Sequence, residues 1–176
     1  MPELPTGPGR EVVEQVRSKQ RSHSAPVAID SPRQRYLCFT LNNEWYGLSV
    51  CHLVEVLPPP TITRVPRVPK HILGVMNLRG EVLTAIDLKR ILGLPQPTPP
   101  SDPALIVVEQ GEVRTGLLVD RIGDLVTLVQ DDFIEAPLPA EKSHPDLFVG
   151  KARRGDLLLG IIAVEKLLQS AGGSSI

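Results

Sequence analysis

Hydrophobic and polar residues begin to alternate at Tyr36. From there to Leu41 the apolar positions Leu37, Phe39 and Leu41 fall on one face, which predicts a half-buried strand. A polar turn at 42–44 and a returning run at 45–50 complete a hairpin, and 52–57 reads as a further strand. The stretch 58–69 carries five prolines, whose missing N–H groups argue against regular ladder pairing. Two more strands follow at 72–77 and 81–86, split by a turn at Arg79-Gly80. The period then changes. Asp87 is a suitable N-cap, Leu88, Ile91 and Leu92 share a helical face, and Gly93 ends a short helix.

A proline-rich connector, 95–103, is followed by the same series again. Residues 104–125 read as strand, turn, strand, strand. Residues 147–162 read as two strands around a turn at Gly155, and 163–170 as a closing helix. The repetition is visible residue by residue. Laying 46–56 over 115–125 puts Gly47 on Gly116, Leu48 on Leu117, Val50 on Val119 and Leu53 on Ile122. Laying 85–92 over 161–168 puts Ile86 on Ile162 and Leu88 on Val164, and 79–83 matches 154–158. This predicts a mainly β chain of two related units, about five strands each, with a longer loop in the second. Such small units lower their edge exposure by curling into barrels and gain stability by packing together. The expected division is a disordered or partner-folding extension at 1–35, one barrel at 36–94, the connector at 95–103, a second barrel with its helix at 104–170 and a flexible tail at 171–176.

Composition narrows the function. The formal net charge is −1, without the basic field that general nucleic-acid binding needs. No apolar run is long enough to span a membrane, and the N-terminus carries no apolar signal region, which predicts a cytoplasmic protein without membrane insertion. Cys38 and Cys51 match no metal or redox spacing and read as small, partly buried core residues. His23, His52, His71 and His144 have no ligand spacing, and no phosphate-binding loop or nucleophile elbow is present. Asp87 and Asp120 could be paired for acid–base work, but each has a simpler reading, one as a helix cap and one at a strand end. Neither an enzymatic function nor a cofactor is expected. Charge placement is more telling. Residues 56–80 contain no acid, yet hold Arg64, Arg67, Lys70 and Arg79 among prolines and aliphatics. Such a basic, partly apolar surface suits an acidic protein partner. It has no aromatic to stack on single-stranded nucleic acid.

Four stretches resemble the chemotaxis coupling proteins of the CheW family: YLCFTLNNEWYGLSVCHLVEV (36–56), GVMNLRGEVLTAIDL (74–88), GLLVDRIGDL (116–125) and LLGIIAVEKLL (158–168). The resemblance implies two SH3-like five-stranded β-barrels packed together, with a short helix after each. It implies a non-catalytic adaptor that couples the cytoplasmic tips of chemoreceptors to a CheA-type histidine kinase. One barrel would pair with the kinase regulatory domain, and the groove between barrels would receive the receptor's helical hairpin tip. The protein would be recruited from the cytoplasm to membrane-associated receptor arrays. Carried over by position, Arg79 is the NLRG arginine of receptor and kinase coupling, and Gly80 its paired turn glycine. Glu55 is the acidic strand position, with Leu53, Val54 and Val56 around it on the implied binding side. Arg64 and Arg67 join this partner-binding set through the acid-free window. Asp87 and Asp120 match the family's aspartates and read as structural, and Arg154 reads as the structural echo of Arg79. Residues 1–35, the connector and 130–146 depart from the family pattern. The departures leave open a paralogous adaptor in a pilus, gliding or other sensory system, binding the kinase without receptors.

Overall fold

A computed structural model describes residues 32–96, 99–135 and 144–172. Strands β1 (Gln34–Leu41) and β2 (Glu44–Ser49) form the first hairpin, whose loop residues Asn42 and Asn43 have φ of 50° and 64°. Positive φ at both central positions is the type I′ pattern, which matches the twist of the flanking strands and which asparagine tolerates. A one-turn 3₁₀ segment at 50–52 leads into β3 (Leu53–Leu57). After the proline-rich loop come β4 (Ile72–Leu78), β5 (Glu81–Asp87) and α1 (Leu88–Ile91). Asp87 caps α1 as expected, accepting from the Arg90 N–H at 3.3 Å. The second half supplies β6 (Ala104–Gln110), β7 (Val113–Val119), β8 (Arg121–Leu128), the two-residue β9 (Phe133–Ile134), β10 (Phe148–Arg154), β11 (Leu157–Ile162) and α2 (Val164–Ser170).

The two halves are interleaved. Sheet one runs β8-β1-β2-β11-β10-β9 and sheet two runs β3-β6-β7-β5-β4. The mainly β architecture in two units holds, but among the described residues the units have six and five strands, and each draws on both halves of the chain. The boundary expected at the connector therefore does not separate them. The reason lies in two crossovers. The chain leaves sheet one at 50–52 and leaves sheet two at Asp120, places that overlay in the internal repeat. Each repeat thus gives its first two strands to one sheet and the rest to the other. Two parallel pairings seal the exchange, β2 with β11 and β5 with β7. Gly47 and Gly116 lie at these junctions, opposite Ile161 and Ala85. A Cβ on Gly116 would come within 2.6 Å of Met76 Cε, and one on Gly47 within 3.1 Å of Ile161 Cδ1. Glycine recurs at this position because neighbouring side chains already fill the space.

Three apolar clusters result, and they explain why β1 buries residues on both faces. Tyr36, Cys38, Leu128, Ala152, Leu159 and Ile161 fill the inside of sheet one. Met76, Leu83, Ala85, Leu105 and Val107 fill the inside of sheet two. The largest cluster lies between the sheets and takes Leu37, Phe39 and Leu41 from β1, Ile106 and Val108 from β6, and Leu88, Leu92, Leu167 and Leu168 from the helical ends. Contributions from every strand to its own interior cluster mean that each sheet curls, as an SH3-like unit does. Neither curl closes through its ladder, since the end strands β3 and β4, and β8 and β9, are not ladder neighbours.

Other expectations are corrected. The proline-rich loop is not wholly unpaired, because Thr63 exchanges backbone bonds of 2.8 and 2.9 Å with Val75 on the β4 edge. That edge is open to it, and no proline occupies position 63. Cys38 is buried, but Cys51 is exposed, because the crossover at 50–52 turns it outward. The extension expected at 1–35 lies outside the described residues up to 31, and Gln34 and Arg35 already belong to β1. Of the expected tail at 171–176, residues 173–176 also lie outside them.

Two measurements check this architecture. Because each sheet needs strands from both halves, the intact chain should unfold in one cooperative transition in urea, and 1–96 or 99–176 expressed alone should give collapsed amide spectra. Two transitions assignable to the two chain halves would contradict the interleaving. Burial, with Asp124 nearby, pushes the Cys38 thiol up to about 12, so it stays protonated at neutral pH. A thiol reagent should then titrate one cysteine in the native protein and the second only on unfolding.

Candidate functional site

Arg79 and Gly80 occupy the two-residue loop between β4 and β5, with φ of 53° and 87°, again the type I′ pattern. The left-handed conformation costs an arginine about 1 kcal/mol. The preceding residues offset that cost. Asn77 Oδ1 accepts the Gly80 N–H at 2.9 Å, and Leu78 packs on the interior cluster of sheet two. The Asn-Leu-Arg-Gly order is thus a folded turn in which arginine is held at the tip.

The tip arginine has an internal partner. Its Nη1 and Nη2 donate to Oε1 and Oε2 of Glu55 at 2.8 and 2.9 Å. The Glu55 side chain is 10% exposed, while that of Arg79 is 73% exposed. A planar guanidinium suits this two-point contact, and both carboxylate oxygens are engaged. The pair has an architectural role as well. Glu55 lies on β3 and Arg79 on the β4–β5 loop, and β3 and β4 are the two ends of sheet two. The bond therefore ties one edge of the open curl to the other.

Around this latch the expected site residues separate. A register shift between Leu53 and Glu55, opposite β6, breaks the alternation of β3. Val54 leans on the sheet-two interior, and Leu53 packs at the rim of the central cluster; both are half-buried. Val56 is 3% exposed inside the central cluster, which leaves too little surface for direct contact with a partner. Arg64 and Arg67 are exposed on the proline-rich loop, and the Thr63 bridge sets Arg64 beside the β4 edge. Gly80 is exposed in the turn. The structure thus brings together Arg79, Gly80, Glu55 and Val54, while Arg64 lies farther along the β4 edge, beside Gly74.

The family model described as the CheW-like domain matches residues 35–172. The chain belongs to the CheW-like family. It is 31% identical to the Chemotaxis protein CheW of Klebsiella aerogenes over 144 residues, 82% of this chain and 87% of that one. It is 28% identical to the Chemotaxis protein CheW of Helicobacter pylori over 153 residues, 87% of this chain and 92% of that one. Protein FrzA of Myxococcus xanthus is 29% identical, with 84% and 92% covered. The fold of this chain is similar to the crystal structure of the scaffolding protein TtCheW from Thermoanaerobacter tengcongensis, with a TM-score of 0.70 and 26% identity, covering 82% of this chain and 93% of that one.

Within this CheW-like chain, Arg154 is not a positional echo of Arg79. When the closing helices are aligned, Gly155 falls on Arg79 and Asp156 on Gly80, while Arg154 ends β10 opposite Leu157. Its side chain nevertheless does comparable work on the other sheet. Arg154 Nη1 donates to the Thr127 carbonyl of the edge strand β8, with Asp132 3.8 Å away.

Sequence reasoning missed two further features. Lys89, on α1, is buried and pairs with Asp120 Oδ1 at 2.9 Å, beside a cavity of about 270 Å³ that Asp87 also lines. Asp120 Oδ2 accepts the Asn42 N–H at 2.8 Å, and Asp87 accepts from Arg90 and Gln96. Both aspartates are thus committed to structural bonds. No group of His, Cys, Asp and Glu among the described residues is arranged to hold a metal. The second missed feature is outward apolar surface. Val82 is 67% exposed on β5 and Val113 51% exposed on β7, two strands that pair in parallel from Thr84 and Thr115 onward, while Val149 and Leu158 are exposed on sheet one. Leu158 overlays Val82 when the helices are aligned. Carrying the repeat alignment back along the strand would have revealed this matched outward position.

The latch is measurable by a double-mutant cycle on Arg79→Ala and Glu55→Ala. With one partner mostly in solvent, a coupling energy of about 1 kcal/mol is expected from urea unfolding. Strict additivity of the two single changes would show that the pair does not hold the seam.

Proposed function

We propose that this CheW-like chain is a non-catalytic signalling adaptor that couples chemoreceptor cytoplasmic tips to a CheA-type histidine kinase in chemosensory arrays. The observation that carries the reading is the latched NLRG hairpin, an arginine fixed in space by Glu55 and still largely in solvent. It lies within a CheW-like domain that spans nearly all the described chain. Similarity to chemotaxis proteins named CheW and to a scaffolding protein supports it.

The physical division of labour follows from the surfaces. The helical receptor tip takes the groove between the sheets, where Leu53, Ile122 and Leu125 rim the central cluster. Arg79 fixes register at its margin, and Arg64 and Arg67 steer an acidic partner. The exposed pair Val82 and Val113 suits the kinase regulatory domain, because a small apolar anchor with a polar rim concentrates binding energy. Arg114, ion-paired with Glu81 and Glu109, supplies that rim. Individually weak contacts gain strength by avidity in an array. No helix among the described residues is long and apolar enough to cross a membrane, and in this reading these surfaces recruit the chain to membrane-associated receptors. Similarity to FrzA is consistent with a second reading, an adaptor in another sensory system that binds the kinase without receptors.

Cosedimentation with receptor-bearing membranes and kinase tests the proposal. Wild type should pellet with both, and Arg79→Glu, confirmed folded, should lose receptor-dependent recruitment by on the order of tenfold. Unchanged recruitment by the folded variant would remove Arg79 from the mechanism, and kinase binding without receptor binding in the wild type would select the second reading.

A further inference from the structure

Among the described residues the chain passes from one sheet to the other at two crossovers, and they are held unequally. At the first, Ser49 Oγ accepts the Cys51 N–H at 3.4 Å, and His52 Nδ1 lies 3.3 Å from the Glu109 carbonyl. At the second, Asp120 is gripped from three sides. Its Oδ1 meets Lys89 Nζ at 2.9 Å, its Oδ2 takes the Asn42 N–H at 2.8 Å, and its own N–H donates to the Thr40 carbonyl at 3.1 Å. Lys89 is almost fully buried, so this contact is screened little by solvent. Asn42 also bonds the Pro95 carbonyl through Nδ2 at 2.6 Å, which ties in the chain just after α1.

The residues after Asp120 are clamped in turn. The Arg121 guanidinium stands 6.0 Å from the ring centre of Trp45, the chain's sole tryptophan. Gly123 packs against the same ring, where a Cβ would come within 2.4 Å of Trp45 Cζ3. Between them Ile122 packs at the rim of the central cluster.

We propose that Lys89 is a positioning residue of the inter-sheet groove. Through Asp120 it fixes the crossover, and so the placement of Ile122 where a docked helix would lie. The inference rests on the groove-docking reading above, and it assigns Lys89 no contact with the partner. It makes α1, a helix of sheet two, responsible for the placement of a sheet-one strand. Trp45 reports on the same segment independently of any partner.

The test compares wild type with Lys89→Met, Lys89→Arg and Asp120→Asn. Asparagine at 120 keeps an acceptor for the Asn42 N–H but loses the charge, and it serves if Lys89→Met does not fold. Two readouts are taken, Trp45 emission of the free protein and cosedimentation with receptor-bearing membranes. Lys89→Met and Asp120→Asn should shift the emission and weaken recruitment on the order of tenfold, while Lys89→Arg should stay near wild type in both. Unshifted emission in folded Lys89→Met and Asp120→Asn would overturn the clamp. Shifted emission with undiminished recruitment would overturn the positioning role. A wild type that fails to bind receptor membranes would sink the groove reading itself, and this inference with it, whatever the emission shows.

Discussion

The exchange of strands between the two repeats is the constraint on which the structure depends. A unit of about 60 residues has too little core to stand alone with margin. Side-by-side packing of two such units would leave their relation to surface contacts. Passing strands across at 50–52 and at Asp120, and sealing them through β2–β11 and β5–β7, makes each curl part of the other repeat. The largest apolar cluster then lies between the sheets rather than inside either one. A groove along that junction has a floor made of the protein's main core, which suits a rigid docking surface better than a hinge between separate domains.

Exchange leaves both curls open at one seam, and an arginine lies across each opening. On sheet two Arg79 reaches Glu55, and on sheet one Arg154 reaches the Thr127 carbonyl. The two arginines reach equivalent places from different turn positions, one from the tip of a type I′ loop and one from the last residue of a strand. A carboxylate partner engages the guanidinium at two points and a carbonyl at one, so the sheet-two seam carries the more directional bond. The seam that is better fixed is also the one whose arginine carries the proposed partner contact.

Much of this was legible in the sequence, for reasons that can be named. Period-two alternation marks β1, apolar runs set off by turn residues mark β2 to β5, and Asp87 with Gly93 marks α1, because these signals are local. The repeat was legible because it preserves packing positions such as Gly47 and Gly116. Strand exchange was not, since nothing in local spacing says which strand a crossover will pair with. Arg79 stands out as a cation in an acid-free window, but its partner acid, Glu55, lies just outside that window. The fold brought Glu55 back to it across the seam. Val56 reads like its neighbours in the sequence because the bulge at Leu53–Glu55 cannot be read from side-chain alternation. Lys89 gives no signal in the sequence, because a lysine beside a helix cap reads as solvated until the second repeat is folded against it.

An arginine can be both a structural latch and a partner contact only if one role leaves room for the other. Transferring Arg79 wholly to an acidic partner would leave Glu55 buried and unpaired, a loss of about 3–5 kcal/mol when a buried ion pair is broken outright. Exposure of Arg79 reduces that figure here, yet it still rivals the gain from one new surface ion pair. The guanidinium avoids the choice. It has five N–H donors, of which two serve Glu55, and with the side chain 73% exposed the rest face solvent. A partner can therefore bond Arg79 without displacing Glu55, meeting a donor array already oriented by the latch and so costing little further ordering entropy. A lysine could not serve in the same way, since its ammonium is a point charge on a flexible stem with no fixed second face. The latch thus strengthens Arg79 as the proposed contact.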